Sequence, residues 1–589
     1  MKMQKINARG IRLASAIAIA LLFIRCGGPQ GIHQPPPPPL VLNTLIPDYV
    51  VAGTANTSIV ASGTGFTSSS VVEWNGTPLP TVFGTTEILT IQISSALIAR
   101  PGTVRVAVKD SSLDTTSKPL PFGIASAAAT TAGVVGLVTV APDGTPANGD
   151  SLVSPSISAT GRYVAFQSNA TNLAAGPASG FQEIYERDTC IGAPAGCVPS
   201  TIRVSVTYDG SPVNFHSLDS GISASGRYVV FESEATNILP NTSDCKFACV
   251  FLRDTCIGAS GCVPGTSAIS VDLNGNIVGG GGTSITPDGR FVVFGSKSPN
   301  VALGETNGIG DIYIRDICNG APSGCIPATT LVSGSYNGTP RDGFSGPSAV
   351  SSAARYVAFQ SWATTITPNE NVVPGNFWRD TCAGASSCTP KTVRVDVTAN
   401  GGQPNNVVSN GAVPAITSDG RLVAFSSIAT NLVSTNVAGN ADAYVRDTCA
   451  GVASGCTPTT TLASLANDGT IGNCQSPSQS LAMTPDGRYL AFDSTSTNLV
   501  PGDTFPACGW EDIFVRDTCF GITSGCTPST VRVSVANTPN PETQADGISG
   551  LLAMSADGHY VVFISAATNL VPGVTGNGRS MVYLAKTGF

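Results

Sequence analysis

The sequence predicts an all-β protein built from repeated units of four antiparallel strands, and three observations support this. The 589-residue chain has 65 Gly and 41 Pro, whereas charged residues make up only 12%, about half of the usual share. A segment of the type SITPDGRFVVFGS occurs seven times. A second segment, of the type VRDTCFGITSGCTPST, occurs six times. Repetition at a fixed period indicates architecture rather than a single active site.

The first repeated segment defines seven units. Strand a precedes a Pro-Asp-Gly type of turn, in which Gly supplies positive φ, and the apolar strand b (RYVAF) follows, as expected for a strand covered on both faces. A variable loop leads to strand c (DIYIRD), and strand d (TIRVSVT) ends the unit. Four antiparallel strands repeated radially form a blade, so we predict a seven-bladed β-propeller of four-stranded antiparallel blades over residues 135–589. The turn positions are spaced by 63 to 71 residues, at Gly161, Gly226, Gly289, Ala354, Gly420, Gly487 and Gly558.

The two ends of this region predict how the ring closes. The seventh unit stops after strand c, at MVYLAKTGF. The segment GLVTVAPDGTPAN at 136–148 is similar to the strand-d segment IRVSVTYDGSPVN at 202–214. An N-terminal strand is therefore expected to complete the last blade, which leaves no sheet face bare between the first and last units.

The cysteines predict disulfides. Setting aside Cys26 leaves 16 of the 17 cysteines; pairing within each of the six copies, plus 245 with 249 and 474 with 508, leaves no odd thiol, although sequence alone does not prove this connectivity. Zinc is the alternative, but it needs four converging ligands, and the chain has only three His. We therefore predict disulfides, an oxidising location and no metal site. The predicted disulfide residues are Cys190, Cys197, Cys245, Cys249, Cys256, Cys262, Cys318, Cys325, Cys382, Cys388, Cys449, Cys456, Cys474, Cys508, Cys519 and Cys526.

Residues 1–25 predict a signal peptide. The apolar run LASAIAIALLFI at 13–24 follows a basic segment and is short for a membrane span. Cys26 directly after it resembles the lipobox of bacterial lipoproteins, which implies that Cys26 is lipidated and becomes the mature N-terminus. Arg25 departs from the small residue of that pattern, and a plain signal peptide with an unrelated Cys is the alternative. We expect an exported protein in the periplasm, outer membrane or cell surface, whose only membrane contact is this anchor, with a Pro-rich linker over the rest of residues 26–40.

Two further resemblances concern the folded part. SITPDGRFVVFGS and MTPDGRYLAFDS resemble the WD40-like repeats of TolB-type bacterial proteins, the PD40 class, over about residues 135–589; Ala354 and His559 depart from that motif. Residues 41–124 contain SGTGFTSSSVVEWNGTPLP, which resembles an IPT/TIG domain. This second resemblance implies an immunoglobulin-like (Ig-like) β-sandwich ahead of the propeller, joined to it by a linker at 125–134. Neither resemblance names a ligand.

The chain shows no recognisable catalytic motif. No Ser has Gly at both −2 and +2, and neither HExxH nor GxxxxGK[ST] occurs. The three histidines, His33, His216 and His559, do not resemble catalytic bases. We therefore predict a protein that is not an enzyme, with no catalytic residues and no cofactor. The alternative is a propeller hydrolase or lyase that uses carboxylates converging in the channel.

The charge limits the classes of partner, and the repeated polar residues are interpreted as structural. A net charge of −8 without a dense basic block past the N-terminus excludes the electrostatic pattern of a nucleic-acid-binding protein. The repeated Arg-Asp pairs, such as Arg187–Asp188, and the Asn of the A-T-N-L runs are interpreted as structural, holding strand c and capping turns. Oxygen-rich loops at 304–311 and 502–512 leave a weak cation site open, although neither fits an EF-hand.

Topology predicts a binding face. The loops between strands b and c, and between strand d and the next strand a, lie on one side of the disc; we name this side the variable face. Variable loops on a rigid scaffold commonly bind, so the unrepeated aromatics Phe181, Trp362 and Trp510 are candidate contacts, with local loop packing as their alternative role. We predict a monomeric binding or scaffold protein for a protein or glycan of the envelope or exterior, with a purely structural spacer as a further alternative. The b–c loops cover residues 169–183, 234–248, 297–310, 362–376, 428–440, 495–511 and 566–579.

Overall fold

The computed structural model describes residues 39–589 apart from short gaps. The predicted signal peptide, Cys26 and most of the Pro-rich linker lie outside the described residues. Within the described part, no helix is both long and apolar enough to cross a bilayer. The gaps are 47–48, 52–56, 100–101, 126–131, 195, 241, 243–244, 246–247, 304–307, 338–340, 369, 373, 386–387, 408–411, 436–438, 453, 478–479, 504, 506–507, 523, 537–543, 572–573 and 575–577.

Residues 41–125 form two sheets around one core. Their strands are β1 (Val41–Ile46), β2 (Tyr49–Val51), β3 (Thr57–Thr64), β4 (Ser70–Trp74), β5 (Thr77–Pro78), β6 (Thr81–Thr85), β7 (Ile88–Ile93), β8 (Gly102–Asp110), β9 (Thr115–Thr116) and β10 (Leu120–Ala125). One sheet has the order β1-β3-β7-β6, and the other has the order β2-β10-β8-β4-β5, with β9 on β8. Ile59 and Leu89 from the first sheet share a buried cluster with Trp74 and Phe122 from the second. Strands β3 and β4 alternate buried and more exposed residues, as expected when one sheet face is covered.

The remaining chain forms four-stranded antiparallel sheets, as predicted from the repeats. The described strands are β11 (Gly133–Leu137), then β12 (Ser156–Ile157), β13 (Tyr163–Ser168), β14 (Glu183–Asp188), β15 (Ser200–Arg203); β16 (Ser217–Ile222), β17 (Tyr228–Ser233), β18 (Cys249–Asp254), β19 (Gly265–Ala268); β20 (Gly281–Ile285), β21 (Phe291–Ser296), β22 (Asp311–Asp316), β23 (Ala328–Leu331); β24 (Ser345–Val350), β25 (Tyr356–Ser361), β26 (Gly375–Asp380), β27 (Lys391–Arg394); β28 (Ala415–Ile416), β29 (Leu422–Ser427), β30 (Asp442–Asp447), β31 (Thr459–Leu462); β32 (Leu481–Met483), β33 (Tyr489–Ser494), β34 (Asp512–Asp517), β35 (Ser529–Arg532); β36 (Ser549–Met554), β37 (Tyr560–Ser565) and β38 (Met581–Lys586). Each sheet pairs its strands in the order a, b, c and d. These sheets are numbered in chain order, so that β12–β15 form the first sheet and β36–β38 with β11 form the last.

The last of these sheets combines strands from both ends of the region. Its order is β11-β38-β37-β36, so β11 supplies the strand-d position. The innermost strands of successive sheets contact one another, and β12 of the first sheet contacts β36 of the last. The Asp557 N–H also donates to the carbonyl of Ala159, 3.3 Å away, across this junction. The apolar side chains of strands b and c fill the seams between sheets, with Val164, Phe166 and Tyr185 buried against the last sheet.

The repeated turn glycine is required for two reasons. At Gly420, φ is +72°, and a Cβ built there would lie 2.1 Å from the Tyr356 ring of the preceding sheet. The same approach to a tyrosine of the preceding sheet occurs at Gly161, Gly226, Gly289 and Gly558. Ala354 keeps φ at +61° and packs in a buried cluster beside Phe291, so this copy tolerates a Cβ at a left-handed position.

Replacing Gly420 by alanine is therefore expected to lower the free energy of unfolding by about 2–4 kcal/mol, since strain at positive φ adds to steric overlap in a packed seam. Gly401→Ala is the matched control, because Gly401 also has positive φ, +77°, but its Cβ would meet nothing within 4 Å. Its expected cost is about 1 kcal/mol. Urea denaturation of both variants measures the difference; equal costs would contradict the packing role of the Gly420 position.

The repeated Arg-Asp pair holds strands b and c together. Arg162, at the start of strand b, donates from Nε and Nη2 to the two carboxylate oxygens of Asp188, at 3.0 and 2.8 Å. Arg187 does not pair with the neighbouring Asp188; its Nη1 donates to Thr201 Oγ1 on strand d, 2.9 Å away. The repeated residues thus connect three strands of one sheet, and the same ion pair recurs in the other five copies as Arg227–Asp254, Arg290–Asp316, Arg355–Asp380, Arg421–Asp447 and Arg488–Asp517.

The cysteine loop between strands c and d is organised by the same aspartate. The Cys190 N–H donates to Asp188 Oδ1 at 2.8 Å, and Cys190 adopts φ of +60°. Thr189 Oγ1 donates to the Arg162 carbonyl at 2.8 Å. The described sulfurs form the disulfides 190–197, 245–249, 256–262, 318–325, 382–388, 449–456, 474–508 and 519–526.

Candidate binding face

Each of the three candidate aromatics has an aromatic neighbour on the variable face. Phe181, in the loop between β13 and β14, lies 5.4 Å from Phe215, which precedes β16, between ring centroids. Trp362, just after β25, lies 5.3 Å from Phe344, which precedes β24. In both cases the two rings come from a b–c loop and a d–a loop, whose ends meet on this face. Phe181 and Trp362 therefore pack locally, which is the alternative role considered for them, and their ring partners remain partly exposed: 45% for Phe215 and 42% for Phe344.

The third pair lies within one loop. Phe505 and Trp510, between β33 and β34, have ring centroids 5.0 Å apart, and Trp510 is 42% exposed. The Cys474–Cys508 disulfide ties this loop to the preceding d–a loop, with a Cα–Cα distance of 5.3 Å. The sequence analysis did not identify Phe215, Phe344 and Phe505. They could have been found by searching all loops of the variable face for aromatic residues, because these loops also hold the three candidates.

A histidine completes the first aromatic pair. The His216 ring stands edge-on to Phe181 and Phe215, with centroid distances of 5.3 and 4.8 Å. The backbone N–H of Gln182 donates to His216 Nδ1 at 3.2 Å. In the neutral imidazole this leaves the proton on Nε2, so a hydrogen-bond donor stands beside two aromatic rings. We name Phe181, Phe215 and His216 the first platform.

Glycines make room for the second pair. A Cβ at Gly310, in the loop between β21 and β22, would lie 2.4 Å from the Phe344 ring. A Cβ at Gly346 would lie 2.8 Å from Phe344 and 3.1 Å from Trp362. The absence of a side chain at Gly310 and Gly346 therefore leaves room for the two rings, and a larger residue at either position would overlap them. The rings lie at the seam between the third and fourth sheets. We name Phe344 and Trp362 the second platform.

The loop ends on this face are fixed by asparagines. Asn172 Oδ1 accepts from the Asn148 N–H at 3.0 Å, and its Nδ2 donates to the Pro146 carbonyl at 3.1 Å. In return, Asn148 Oδ1 accepts from the Thr171 N–H at 2.7 Å. These bonds join a b–c loop to the preceding d–a loop, so only the middle of each loop is free to differ. The same asparagine bonds recur at Asn237, Asn431, Asn498 and Asn569.

Two carboxylates lie close together at the seam between the second and third sheets. Asp219 stands at a β-bulge of β16, and Glu232 lies on β17, where it accepts the N–H of Gly282 from the third sheet. Burial raises the pKa of Asp219, and burial together with the nearby Asp219 raises the pKa of Glu232. Like charges at short range disfavour double ionisation, so this pair holds a proton above the ordinary range of a carboxyl group. Such a pair can donate and accept protons.

The Asp-Cys-Cys groups of the cysteine loops do not offer free ligands. Asp188, Cys190 and Cys197 lie within metal-binding distance of one another, and corresponding groups occur at Asp254, Asp316, Asp380 and Asp447. The two sulfurs are joined in a disulfide, and the carboxylate is paired with Arg162. A metal therefore finds neither a thiolate nor an unpaired carboxylate in this group.

The chain matches no protein-family model and no curated protein. Solved structures similar to it are of β-propeller type. They include an auxiliary nutrient binding protein from Bacteroides thetaiotaomicron (10% identity, 77% of this chain and 94% of that chain, TM-score 0.29). They also include an α-L-arabinanase from Penicillium chrysogenum (12% identity, 78% of this chain and 99% of that chain, TM-score 0.30). A sialidase from Trypanosoma rangeli is a third example (12% identity, 78% of this chain and 59% of that chain, TM-score 0.29). Identities and TM-scores this low assign no activity and no ligand to this chain.

The prediction that the chain is not an enzyme is corrected by these comparisons. It rested on the absence of known motifs and on the scarcity of histidine. The similar structures include an arabinanase and a sialidase, so proteins similar to this chain include enzymes. Carboxylates from different strands meet only in the folded chain, and a motif search along the sequence does not detect them.

Proposed function

We propose that the chain is an exported, seven-bladed β-propeller protein, preceded by an Ig-like domain and anchored through Cys26, that binds a protein or glycan of the envelope or exterior through its variable face. The consecutive four-stranded sheets, with contact between the innermost strands of the first and the last, support the closed ring. The disulfides support an oxidising compartment. The TolB-type and IPT/TIG resemblances belong to this proposal.

One observation carries the binding role. The three aromatic pairs all lie in loops of the variable face, and Phe215, Phe344 and Trp510 are each at least 42% exposed. Partly exposed aromatics that are held by local packing provide contact area at low entropic cost. They are also the residue type that carries much of the energy at binding interfaces.

Affinity capture tests this role. We expect the immobilised, oxidised mature chain to retain a saturable partner from an envelope extract of the source cell. Retention should fall at least tenfold when Phe215, Phe344 and Trp510 are replaced together by serine. The control is Val263→Ser, which removes an 85% exposed apolar residue from the loop between β18 and β19, a c–d loop outside the variable face. A partner lost with Val263→Ser but kept by the aromatic variant would contradict the assignment of the face.

The carboxylate pair supports a second candidate function, acid–base catalysis. The specific observation is that Asp219 and Glu232 meet at one seam, where burial raises the pKa of both. If the chain hydrolyses polysaccharides, Asp219→Asn and Glu232→Gln should each lower reducing-sugar release by about 100-fold or more. Asp209→Asn, in an exposed turn, is the control. Activity that is absent from the wild-type chain, or unchanged in both variants, would remove this candidate.

A further inference from the structure

We infer that the ligand of the variable face is a neutral, extended carbohydrate chain that lies across the first and second platforms. This inference rests on the proposed function and adds the chemical class of the ligand and its path. It is carried by the ring pairs, by the charges of the loops that present them, and by the seams at which they lie.

The platforms have the chemistry that a sugar ring needs. A pyranose presents C–H groups on its faces and hydroxyls around its rim. The face of an aromatic ring is the negative side of its quadrupole, which favours contact with polarised C–H groups. The first platform adds a donor at His216 Nε2, because Nδ1 is occupied by the Gln182 N–H. One platform can therefore contact a sugar face and a sugar hydroxyl together.

The b–c loops that carry Phe181 and Trp362 offer no free charge. In loop 169–183, Glu183 is the single charged residue, and it is buried in an ion pair with Arg203, with an N–O distance of 2.7 Å. In loop 362–376, Glu370 is the single charged residue, and it is buried in an ion pair with Arg394. A charged ligand would find no counter-charge in either loop, which favours a neutral one.

Acidic residues of the adjoining d–a loops are hydrogen-bonded within the protein and remain charged, so they disfavour an acidic ligand. Asp209 accepts from Thr207 and Ser211, and Asp342 accepts from the N–H groups of Thr364 and Thr365. Amide and hydroxyl groups also lie at the surface beside the first platform, such as Asn214, which is bonded to Thr236 at 2.8 Å. Amides and hydroxyls both donate and accept, as recognition of sugar hydroxyls requires.

The seams define a path. The first platform joins the first sheet, through Phe181, to the loop that enters the second sheet, through Phe215. The second platform lies against Gly310, in a loop of the third sheet, and belongs to the fourth. Two separate ring pairs on consecutive parts of one face suit an extended chain of several rings. A protein partner needs a contiguous patch of roughly 600 Å² or more on each side, with an apolar centre.

The test uses neutral hexasaccharides with the full mature, oxidised chain. The probes are cellohexaose, xylohexaose, mannohexaose and maltohexaose, with hexagalacturonic acid as the acidic comparison, measured by isothermal titration calorimetry. We expect at least one neutral probe to bind and the acidic probe to bind at least tenfold more weakly. Phe215→Ala should weaken binding at least tenfold, and Trp362→Phe, which keeps the local packing, should weaken it about threefold. Val263→Ser, outside the variable face, should change it less than twofold.

Three outcomes would overturn the inference. They are no binding of any neutral probe, tighter binding of hexagalacturonic acid, or binding unaffected by Phe215→Ala and Trp362→Phe in variants whose melting temperatures match the wild type. The proposed function is judged separately: if a protein from the extract binds through the aromatic residues and no hexasaccharide competes with it, the carbohydrate inference fails and the proposed function stands. If capture also fails, both fail.

Discussion

Replacing Glu186 by leucine is expected to raise the free energy of unfolding by about 3 kcal/mol at pH 8.5. Glu186 is 1% exposed, and neither carboxylate oxygen has a hydrogen-bond partner. Burial, and then the neighbouring Asp188, raise the pKa of Glu186 from 4.5 to about 8. The fourth position of strand c is apolar in the other sheets, at Leu252, Ile314, Trp378, Val445, Val515 and Leu584, so leucine fits the environment of this strand.

The sign of the pH dependence follows from the raised pKa. Between pH 4.5 and 8 the folded chain keeps a proton on Glu186 that the unfolded chain releases, so this residue lowers stability progressively as pH rises through that window. Leucine has no such proton. The gain from Glu186→Leu is therefore expected to be small at pH 4.5 and to grow until about pH 8.

Urea denaturation at pH 4.5, 6.5 and 8.5 measures this effect. The matched control is Leu252→Glu, which places a carboxyl at the same position of the second sheet, where Leu252 is 4% exposed. It should destabilise the chain more at high pH than at low pH. A stability difference for Glu186→Leu that does not change with pH would show that the Glu186 carboxyl is solvated.

Arg394→Leu is expected to lower the free energy of unfolding by about 3–5 kcal/mol at neutral pH, because it leaves two buried carboxylates without their cation. Arg394 donates from Nε and Nη2 to Asp396 at 3.0 and 2.9 Å, and from Nη1 to Glu370 and to the Val372 carbonyl. The side chains of Arg394, Glu370 and Asp396 are 4%, 3% and 0% exposed. Burial already raises the pKa of Asp396 to about 6 despite the arginine.

The control for this variant separates charge from volume. Leucine is a side chain that this position accepts in another sheet, because Leu462 occupies the equivalent position of the fifth sheet. Leu462 lies opposite Tyr444, as Arg394 lies opposite Phe377. The triple variant Arg394→Leu, Glu370→Gln, Asp396→Asn removes all three charges and should recover most of the lost stability. Arg394→Leu alone should also be less destabilising at pH 5, where Asp396, whose pKa is raised by burial, gains a proton. A triple variant as unstable as the single one would place the loss in packing instead.

Local patterns were sufficient to predict the strands of the repeat. The apolar run of strand b and the Asp-Gly turn before it are contiguous in sequence, and the structure places β13, β17, β21, β25, β29, β33 and β37 on these runs. The partner of Asp188 could not be predicted in this way. Arg187 is its neighbour in sequence, but adjacent residues of a strand point to opposite faces, and antiparallel pairing brings Arg162 to Asp188 instead.

In the candidate site, too, some residues could be predicted from the sequence and their partners could not. Phe181, Trp362 and Trp510 were identified because they are unrepeated, but their partners Phe215 and Phe344 lie in other loops and approach only because b–c and d–a loops share a face. Asp219 and Glu232 are 13 residues apart in sequence, and Asp219 stands at a β-bulge next to the strand of Glu232. The residue types around Asp219 do not predict this bulge. Cys190 likewise combines a positive φ with an N–H that donates to the Asp188 carboxylate.

The sequence by itself determined the all-β class, the repeated antiparallel unit and the positions of its turns, because period, apolar runs and turn residues act over a few neighbouring positions. Only the tertiary structure decided which carboxylates are paired, buried or adjacent, and which aromatic rings meet at the surface. These properties depend on the distance between residues far apart in the chain, and that distance is set by how strands pair within a sheet and how sheets pack at their seams.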